Sequence, residues 1–188
     1  PAPSLSLVLS DVVGDELSSI ASGPTVPDAS TFAEAMEIVE RYGVREALPE
    51  SVRRLLRDGV SGSVPDTPSP GDPAFSRATT AILGSNLQAL QAAAGEAERR
   101  GFEVTLLGSR IEGEAREIGR CFAGIGADLP RTGEPGRRSC IIAGGETTVT
   151  IRGGGKGGRN QEMAASVLLE MAKNPGWFAN TLFGSVAT

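Results

Sequence analysis

Apolar and polar residues follow one another along the chain in a pattern that predicts short strands and amphipathic helices in turn. Residues 5–10 form an apolar run of strand length. Thr31 and Glu34 have the spacing of a capping box, in which each side chain satisfies a free backbone N–H group at a helix start. The helix that they open is expected to stop at Gly43, and a second short helix is expected to follow Pro49.

The middle of the chain has the pattern of a strand, a helix and a second strand. Residues 78–84 and 102–107 predict the strands, and a helix capped by Ser85 or Asn86 is predicted to run to residue 100. A linking helix of this kind favours a parallel strand pair with a right-handed crossover. The later segments predict a helix, a strand continued as a hairpin, a helix and a terminal strand, at residues 112–122, 139–143 with 147–152, 160–173 and 181–188. The pattern as a whole indicates an α/β fold.

A Pro- and Gly-rich segment divides this pattern into two parts. Residues 59–77 contain four prolines and three glycines, so we interpret them as a crossover between two domains. Because the chain begins at Pro1 instead of Met and ends at Thr188, directly after an apolar segment, we expect it to be a piece of a longer polypeptide.

Composition narrows the classes of function. The 188 residues include 18 Lys and Arg, 23 Asp and Glu and no His, and no apolar run reaches the roughly 18 residues that a membrane-spanning helix needs. The acidic balance argues against nucleic-acid binding, and the absence of histidine excludes Ser-His-Asp catalysis and imidazole-based zinc sites. Cys121 and Cys140 are isolated thiols, which fit a reducing compartment. We therefore expect a cytoplasmic protein whose partners include neither nucleic acid nor a membrane.

A glycine-rich loop is the first candidate for chemistry. Gly153, Gly155 and Gly158 match the spacing of a dinucleotide-binding loop before a helix, and Lys156 and Arg159 add positive charge. Backbone N–H groups at such a loop and helix start bind phosphate. No acidic residue is well placed for a ribose hydroxyl, and the lysine lacks the Ser or Thr that follows it in a P-loop. The pattern favours phosphate over NAD, and a plain flexible connection is the alternative.

Carboxylates follow the first predicted strand. Ser10 and Asp11 lie where that strand ends, at the edge where open α/β sheets bind ligands, and Asp15 comes shortly after. A carboxylate at this edge could coordinate Mg²⁺ or accept a proton from a substrate hydroxyl, and the alternative is that both carboxylates only cap a turn. Ser22 and Gly23 also predict a turn, although Gly23 leaves its backbone open to a bound molecule.

A polar cluster is predicted around the glycine-rich loop. A glutamate after two glycines is not what a hairpin turn needs, and further polar residues begin the helix after the loop. For Glu162 the alternative is a favourable interaction with that helix N-terminus. The charged residues of the predicted helix at 112–122 are interpreted as a solvated surface. Six polar residues within seventeen positions favour a ligand site: Glu146, Thr147, Lys156, Arg159, Asn160 and Glu162.

Six motifs occur together in this sequence in one order. They are SDVVGD at 10–15, IASGPT at 20–25, ILGSN at 82–86, EGEAR at 112–116, GGETT at 144–148 and GGRNQE at 157–162. In this combination the chain closely resembles the bacterial and archaeal type II glycerate kinases, the MOFRL-containing family, over essentially its whole length. Members of that family phosphorylate D-glycerate at O2 with ATP, and they often carry the name hydroxypyruvate reductase.

The resemblance implies a domain organisation and cofactors. Residues 1–62 would end a Rossmann-like domain, residues 63–78 would cross over, and residues 79–188 would form a second α/β domain with a mixed sheet, MOFRL-like from about residue 139. The implied active site lies between the domains and uses ATP and Mg²⁺, and a homodimer is compatible with the family. The family's preceding segment with a catalytic lysine, and its following Asp-Gly segment, are not in this sequence.

The same resemblance implies roles for individual residues. Asp11 and Arg159 would be catalytic, and Asp11 and Asp15 would bind the metal. Two other interpretations stay open: an NAD(P)H-dependent hydroxypyruvate reductase, which the glycine spacing favours and the missing histidine opposes, and an inactive fragment of the kinase. Together with the patterns above, the residues expected to bind substrate or nucleotide are Ser10, Asp15, Ser22, Gly23, Glu146, Thr147, Gly155, Lys156, Gly158, Asn160 and Glu162.

Overall fold

A computed structural model describes residues 2–132 and 136–187 of the chain. The described residues form two compact units: unit 1 from Pro1–Leu9 and Glu16–Leu83, and unit 2 from Ser10–Asp15 and Gly84–Thr188. The elements are β1 (Ser4–Leu9), α1 (Phe32–Arg41), α2 (Glu50–Val60), β2 (Ala78–Gly84), α3 (Asn86–Arg99), β3 (Phe102–Glu114), α4 (Ala115–Thr132), β4 (Arg138–Thr148) and α5 (Arg159–Lys173), with short 3₁₀ turns at Ile20–Ser22, Arg45–Ala47, Pro73–Phe75 and Pro175–Phe178.

β1 and β2 form a two-stranded parallel sheet. The Ser4 N–H donates to the Arg77 carbonyl at one end of the pair (3.0 Å), and the Ser10 N–H donates to the Gly84 carbonyl at the other (2.8 Å). From one end of the pair to the other, the residue numbers rise in both strands, which is the arrangement of a parallel ladder.

The leucines of β1 lie on one face of the strand, and that face is open to solvent. Leu5, Leu7 and Leu9 are 66%, 58% and 76% exposed, whereas the alternate residues Ser6 and Val8 are half-buried. The apolar face of this strand is thus the exposed one.

Helix α1 begins as the sequence predicts. The Thr31 side chain accepts a hydrogen bond from the Glu34 N–H (3.2 Å), and the Glu34 carboxylate accepts one from the Thr31 N–H (2.8 Å). The chain leaves the helix through Gly43, whose φ of +62° is in the left-handed region that glycine adopts without strain.

Polar contacts join this helix start to the Pro-rich segment. The Asp66 carboxylate accepts from the Phe32 N–H (2.8 Å), and the Thr67 hydroxyl donates to the Asp28 carboxylate (3.0 Å). The Asp28 N–H donates to the Pro68 carbonyl (3.0 Å). Residues 66–68 are therefore fixed to the start of α1 by hydrogen bonds to the backbone and to side chains.

Unit 2 is built on a parallel pair of longer strands. β3 and β4 pair from Phe102 opposite Arg138 to Glu114 opposite Thr148, with two register shifts in β3 around Gly108. Gly145 lies so close to the backbone of Ile111 that a Cβ there would overlap it. This glycine allows the two strands to stay paired across the irregular part of β3.

Helices cover this pair and form the core of unit 2. The Ser166 hydroxyl of α5 donates to the Arg116 carbonyl of α4 (2.7 Å), and a Cβ on Gly119 would lie 2.7 Å from the Met163 carbonyl. These two contacts show how closely the helices approach each other. The buried apolar cluster consists of Ala123, Val167 and Phe178, with Ala127, Met171 and Phe183 packed against it.

The structure confirms the α/β fold class and corrects four details of the sequence-based prediction. The predicted hairpin at 147–152 does not form; β4 continues to Thr148, and each described sheet is parallel instead of mixed. β3 extends to Glu114, where a helix start was predicted, because that segment pairs with the second half of β4. β2 pairs with β1 and β3 with β4, so the predicted direct pairing of β2 with β3 is wrong.

The ends of two elements also differ from the prediction. α5 begins at Arg159, one residue before the predicted start. Residues 181–187 follow an irregular path, although their apolar character predicts a strand. In the described part of the chain we find no helix that is both long and apolar enough to span a membrane.

Candidate functional site

The clearest polar site of unit 2 lies where β4 ends and α5 begins. The Arg159 guanidinium and the Glu146 carboxylate form an ion pair, with 2.6 Å between Nη1 and Oε1. The two side chains are 51% and 43% exposed, so the pair remains accessible to a molecule from solvent. The structure therefore brings together these two residues, which the sequence analysis assigned to one polar cluster.

A second ion pair lies one helical turn further along α5. The Arg116 guanidinium donates to one oxygen of Glu162 from Nε (2.8 Å) and from Nη2 (2.6 Å). Hydrogen bonding to this carboxylate, followed by its charge, raises the pKa of Arg116. Glu162, expected to contact a ligand, thus has a protein partner from α4.

The glycine-rich loop connects the end of β4 to the start of α5, and most of its glycines are bordered by open space. A Cβ placed on Gly153, Gly155 or Gly158 would meet no atom within 4 Å, and Lys156 is exposed. Among the residues that the structure describes, no side chain caps the start of α5. The first N–H groups of a helix have no partner within the helix, so this helix start can accept an anion together with the loop.

Two other predicted residues of this cluster lie deeper. Thr147 is 9% exposed and faces the interior of unit 2 from β4. The Asn160 amide oxygen accepts a hydrogen bond from the Ser185 hydroxyl (2.6 Å), which ties the segment near the chain end to the first turn of α5. Thr147 is therefore buried, and Asn160 is held by a side-chain contact from the segment near the chain end.

The segment after β1 supplies the remaining candidates of unit 2. Ser10 is 9% exposed, and Asp11 is exposed. Asp15 is half-buried and has a φ of +58°, a left-handed conformation that is uncommon for a residue other than glycine. The guanidinium carbon of Arg110 would lie 4.0 Å from a Cβ on Gly14, so this segment runs close to a basic side chain.

Ser22 and Gly23 belong to unit 1. Together with Ala21 they form three consecutive residues of positive φ, at +50°, +63° and +59°. A Cβ on Gly23 would lie 2.8 Å from the Ser18 carbonyl, so only glycine fits there. Such strain in a short turn is characteristic of functional sites. Ala21 and Gly23 also line a cavity of about 300 Å³ beside Ser6 and Val8 of β1.

The structure adds two residues to the candidate site. The sequence pattern predicts that both belong to a solvated helix surface. Glu114 is the last residue of β3, and it accepts hydrogen bonds from the Thr150 N–H (2.8 Å) and hydroxyl (3.2 Å). Arg116 holds Glu162 as described above. The EGEAR motif among the six was the available signal, but charge spacing alone cannot show partners that lie more than 30 positions further along the chain.

The described residues contain no group of three or more His, Cys, Asp or Glu side chains that could hold a metal ion. A metal bound by protein ligands alone does not fit this part of the chain. Mg²⁺ in phosphoryl-transfer sites is commonly held by one or two carboxylates together with substrate phosphates. Asp11 is exposed and could be one such carboxylate.

Two family models match the chain. The "Domain of unknown function (DUF4147)" matches residues 1–57, and the "MOFRL family" matches residues 139–188. The first match covers the beginning of the chain and the second runs to its end. Together they include the candidates Ser10 to Gly23 and Glu146 to Glu162.

Proteins of the same kind are known from archaea and animals. A protein of Pyrococcus horikoshii named "Glycerate 2-kinase" is 43% identical over 85% of this chain and 36% of its own length. A "Glycerate kinase" of Bos taurus is 33% identical over 100% of this chain and 42% of its own length. The chain therefore spans less than half the length of these relatives.

A solved structure shares the fold. The crystal structure of a glycerate kinase from Thermotoga maritima matches with a TM-score of 0.70 and 35% identity, over 91% of this chain and 38% of that one. The α/β fold and the MOFRL-family match at residues 139–188 together assign this part of the chain to the MOFRL class. Within that class, the chain belongs to the glycerate 2-kinase family.

Proposed function

We propose that this chain forms part of a glycerate kinase that transfers the γ-phosphoryl group of ATP to O2 of D-glycerate, giving 2-phosphoglycerate. The observation that carries the proposal is the Glu146–Arg159 ion pair of 2.6 Å at the entrance to an open glycine-rich loop. Relatives that are 43% and 33% identical to the chain over the aligned segments are named "Glycerate 2-kinase" and "Glycerate kinase".

Phosphoryl transfer suits a site of this composition. It depends on positioning and on positive charge near the moving phosphate, and it does not need histidine. Arg159 would neutralise charge on the phosphoryl oxygens, because its guanidinium is always protonated and can bind two oxygens at once. Glu146 would hold that guanidinium in place between encounters with substrate.

The loop and the helix start would bind the phosphates of the nucleotide. Gly155 and Gly158 leave room for a phosphate to approach the backbone, and Lys156 and the first turn of α5 would supply positive charge and N–H donors. Asn160 and Thr147 would shape the floor of this site. Glu162 would act through its pair with Arg116.

The carboxylates after β1 would serve the acceptor substrate. Asp11 would accept the proton of the glycerate hydroxyl, and Ser10 and Asp15 would support that segment. Asp11 and Asp15 would hold Mg²⁺, which would supply positive charge to the phosphates of ATP. In unit 1, Ser22 and Gly23 would bind substrate or nucleotide through backbone groups of their left-handed turn.

We extend the proposal to location and assembly. Cys121 and Cys140 are free thiols, which suits the cytoplasm. The domain boundaries expected from the resemblance, with a crossover at 63–78, and a homodimeric assembly are proposed for the whole protein.

The experiment is ³¹P NMR of the full-length protein that contains this chain, with Mg-ATP and D-glycerate. We expect a new phosphomonoester signal at the position of 2-phosphoglycerate, and a loss of about 10³-fold or more in its rate of formation for Arg159→Ala. The control is Arg54→Ala, which removes an exposed arginine of α2. The proposal is wrong if ATP neither binds nor reacts, or if ATP stays intact while hydroxypyruvate is reduced by NADH.

A further inference from the structure

Glu114 fixes the segment that leads into the glycine-rich loop. Its two carboxylate oxygens accept from the Thr150 N–H (2.8 Å), the Thr150 hydroxyl (3.2 Å) and the Thr148 hydroxyl (3.5 Å). Thr148 is the last residue of β4, and the loop begins directly after Thr150. One side chain therefore holds the backbone at the point where the strand gives way to the loop.

Arg116 fixes the segment that leaves the loop. Its guanidinium donates twice to Glu162, at 2.8 Å and 2.6 Å. Glu162 lies in the first turn of α5, three residues after Arg159. Its own N–H donates to the Gly158 carbonyl (2.9 Å). The helix start that carries Arg159 is therefore bound to α4.

These two side chains project from one anchored piece of backbone. Ala115, which lies between them, is completely buried. The Arg116 carbonyl accepts from the Ser166 hydroxyl (2.7 Å), and the Gly113 carbonyl accepts weakly from the Thr148 hydroxyl (3.4 Å). The backbone at the junction of β3 and α4 is thus itself held by hydrogen bonds from Ser166 of α5 and from Thr148 of β4.

The loop between the two anchored ends has few contacts of its own. Residues 151–158 are exposed, and four of the five glycines among them would meet no atom within 4 Å if they carried a Cβ. The direction in which the loop presents Lys156 is then set mainly by its ends. A glycine-rich segment loses much conformational entropy on ordering, so fixed ends reduce what a ligand must order.

We propose that Glu114 and Arg116 are positioning residues that together clamp both ends of the loop at 151–158 and so preorganise it for phosphate. We name this pair the junction clamp. The clamp itself rests on hydrogen-bond geometry, and only its effect on phosphate rests on the proposed function. Hydrogen bonds from Thr150 lower the pKa of Glu114, so the carboxylate stays charged near neutral pH.

The first test measures the loop without any ligand. In the chain carrying Glu114→Ala we expect the Thr150 amide to exchange with solvent at least about tenfold faster, because its acceptor is gone. In Glu114→Ala and in Arg116→Ala we expect limited trypsin to cut after Lys156 about tenfold faster. Amides of α5 from Met163 onward should keep their protection.

The matched control is Glu117→Ala. Glu117 is a glutamate of the first turn of α4 whose carboxylate pairs with Arg120 on the same helix (3.0 Å). Its loss should change neither Thr150 exchange nor cleavage at Lys156. If an alanine variant fails to fold, Glu114→Gln and Arg116→Lys carry the test, because each keeps part of the hydrogen bonding; we expect smaller effects in the same direction.

The second test measures ATP binding by the full-length protein that carries the same substitutions. Loss of either clamp residue should weaken ATP binding about five- to tenfold while the melting temperature stays within a few degrees, and Arg116→Lys should recover part of the affinity. Unchanged Thr150 exchange and unchanged cleavage at Lys156 in both alanine variants would overturn the clamp. If those two readouts change as expected and the full-length protein, with or without the substitutions, does not bind ATP, the clamp stands and the proposed function is wrong.

Discussion

Unit 1 and unit 2 are stabilised by different kinds of contact. Five of the six buried apolar residues among the described part of the chain lie in unit 2, and only Ile20 lies in unit 1. Unit 1 instead has the three leucines of β1 on an open strand face and has hydrogen bonds around the start of α1. A buried cluster and local hydrogen bonds respond differently to mutation and to pH, so the comparison can be tested one contact at a time.

The largest expected effect concerns the close approach of the strands in unit 2. Gly145→Ala would place a Cβ against the Ile111 backbone, at a φ of +156° that strains any other residue. We expect a loss of about 3 kcal/mol or more in the free energy of unfolding, because main-chain atoms cannot move aside as a side chain can. Urea unfolding followed by Trp177 fluorescence measures it.

The control for that variant lies in the loop. Gly153→Ala introduces the same methyl group at a position where a Cβ would meet no atom within 4 Å. The φ of Gly153 is not in the left-handed region. It should change the free energy of unfolding by less than about 0.5 kcal/mol. Equal effects of the two substitutions would show that the β3–β4 contact does not limit stability.

The second prediction compares one residue type in both units. Val167 of α5 is 2% exposed, and Val60 of α2 is 53% exposed. Val167→Ala should cost about 2 kcal/mol because it removes buried methyl groups and leaves a cavity. Val60→Ala should stay within about 0.5 kcal/mol. Denaturant titrations of both variants check the difference, and a cost at Val60 as large as at Val167 would contradict the contrast between the units.

The third prediction addresses the hydrogen bonds of unit 1. Thr31→Ala removes the hydroxyl that accepts from the Glu34 N–H, and we expect the stability of α1 to fall by about 1 kcal/mol. Thr31→Ser keeps the acceptor and should retain most of that stability. Hydrogen exchange of the α1 amides, measured by NMR, resolves the effect within unit 1. If Ala and Ser behave alike, the capping box does not stabilise the helix.

The sequence predicted local features well because their causes are local. The capping box at Thr31 joins residues three positions apart, and the structure confirms it; of the two caps predicted for α3, Ser85 or Asn86, the structure has Ser85. The end of α1 near Gly43 follows from the conformational freedom of one residue. In each case the partners are visible within a few letters of sequence.

Features that depend on distant partners were missed. β3 continues to Glu114 because that segment pairs with β4, and a strand interrupted by Gly108 and Gly113 has no regular alternation to reveal it. For the site, the polar composition of the cluster predicted that Glu146 and Arg159 belong together. Nothing local could show that Arg116 would bind Glu162, 46 positions away.

The smallest expected effect is a change of pKa in unit 1. The Asp28 carboxylate accepts from the Ser30 hydroxyl (2.7 Å), the Ser30 N–H (2.8 Å) and the Thr67 hydroxyl (3.0 Å). These bonds lower the pKa of Asp28, and the Ser30 hydroxyl has the largest effect. Because the folded value lies below the ordinary one, the charged carboxylate stabilises unit 1 above the ordinary pKa of 3.8.

This contribution is lost as the pH falls through the lower, folded value, so acid should release residues 66–68 from the start of α1. Ser30→Ala should raise the pKa of Asp28 toward its ordinary value, and by more than Thr67→Ala does. Carboxyl ¹³C NMR titration of the two variants measures both shifts. If Thr67→Ala has the larger effect, then the contact with the Pro-rich segment controls this carboxylate, and unit 1 depends less on the local turn at Ser30 than its hydrogen bonds indicate.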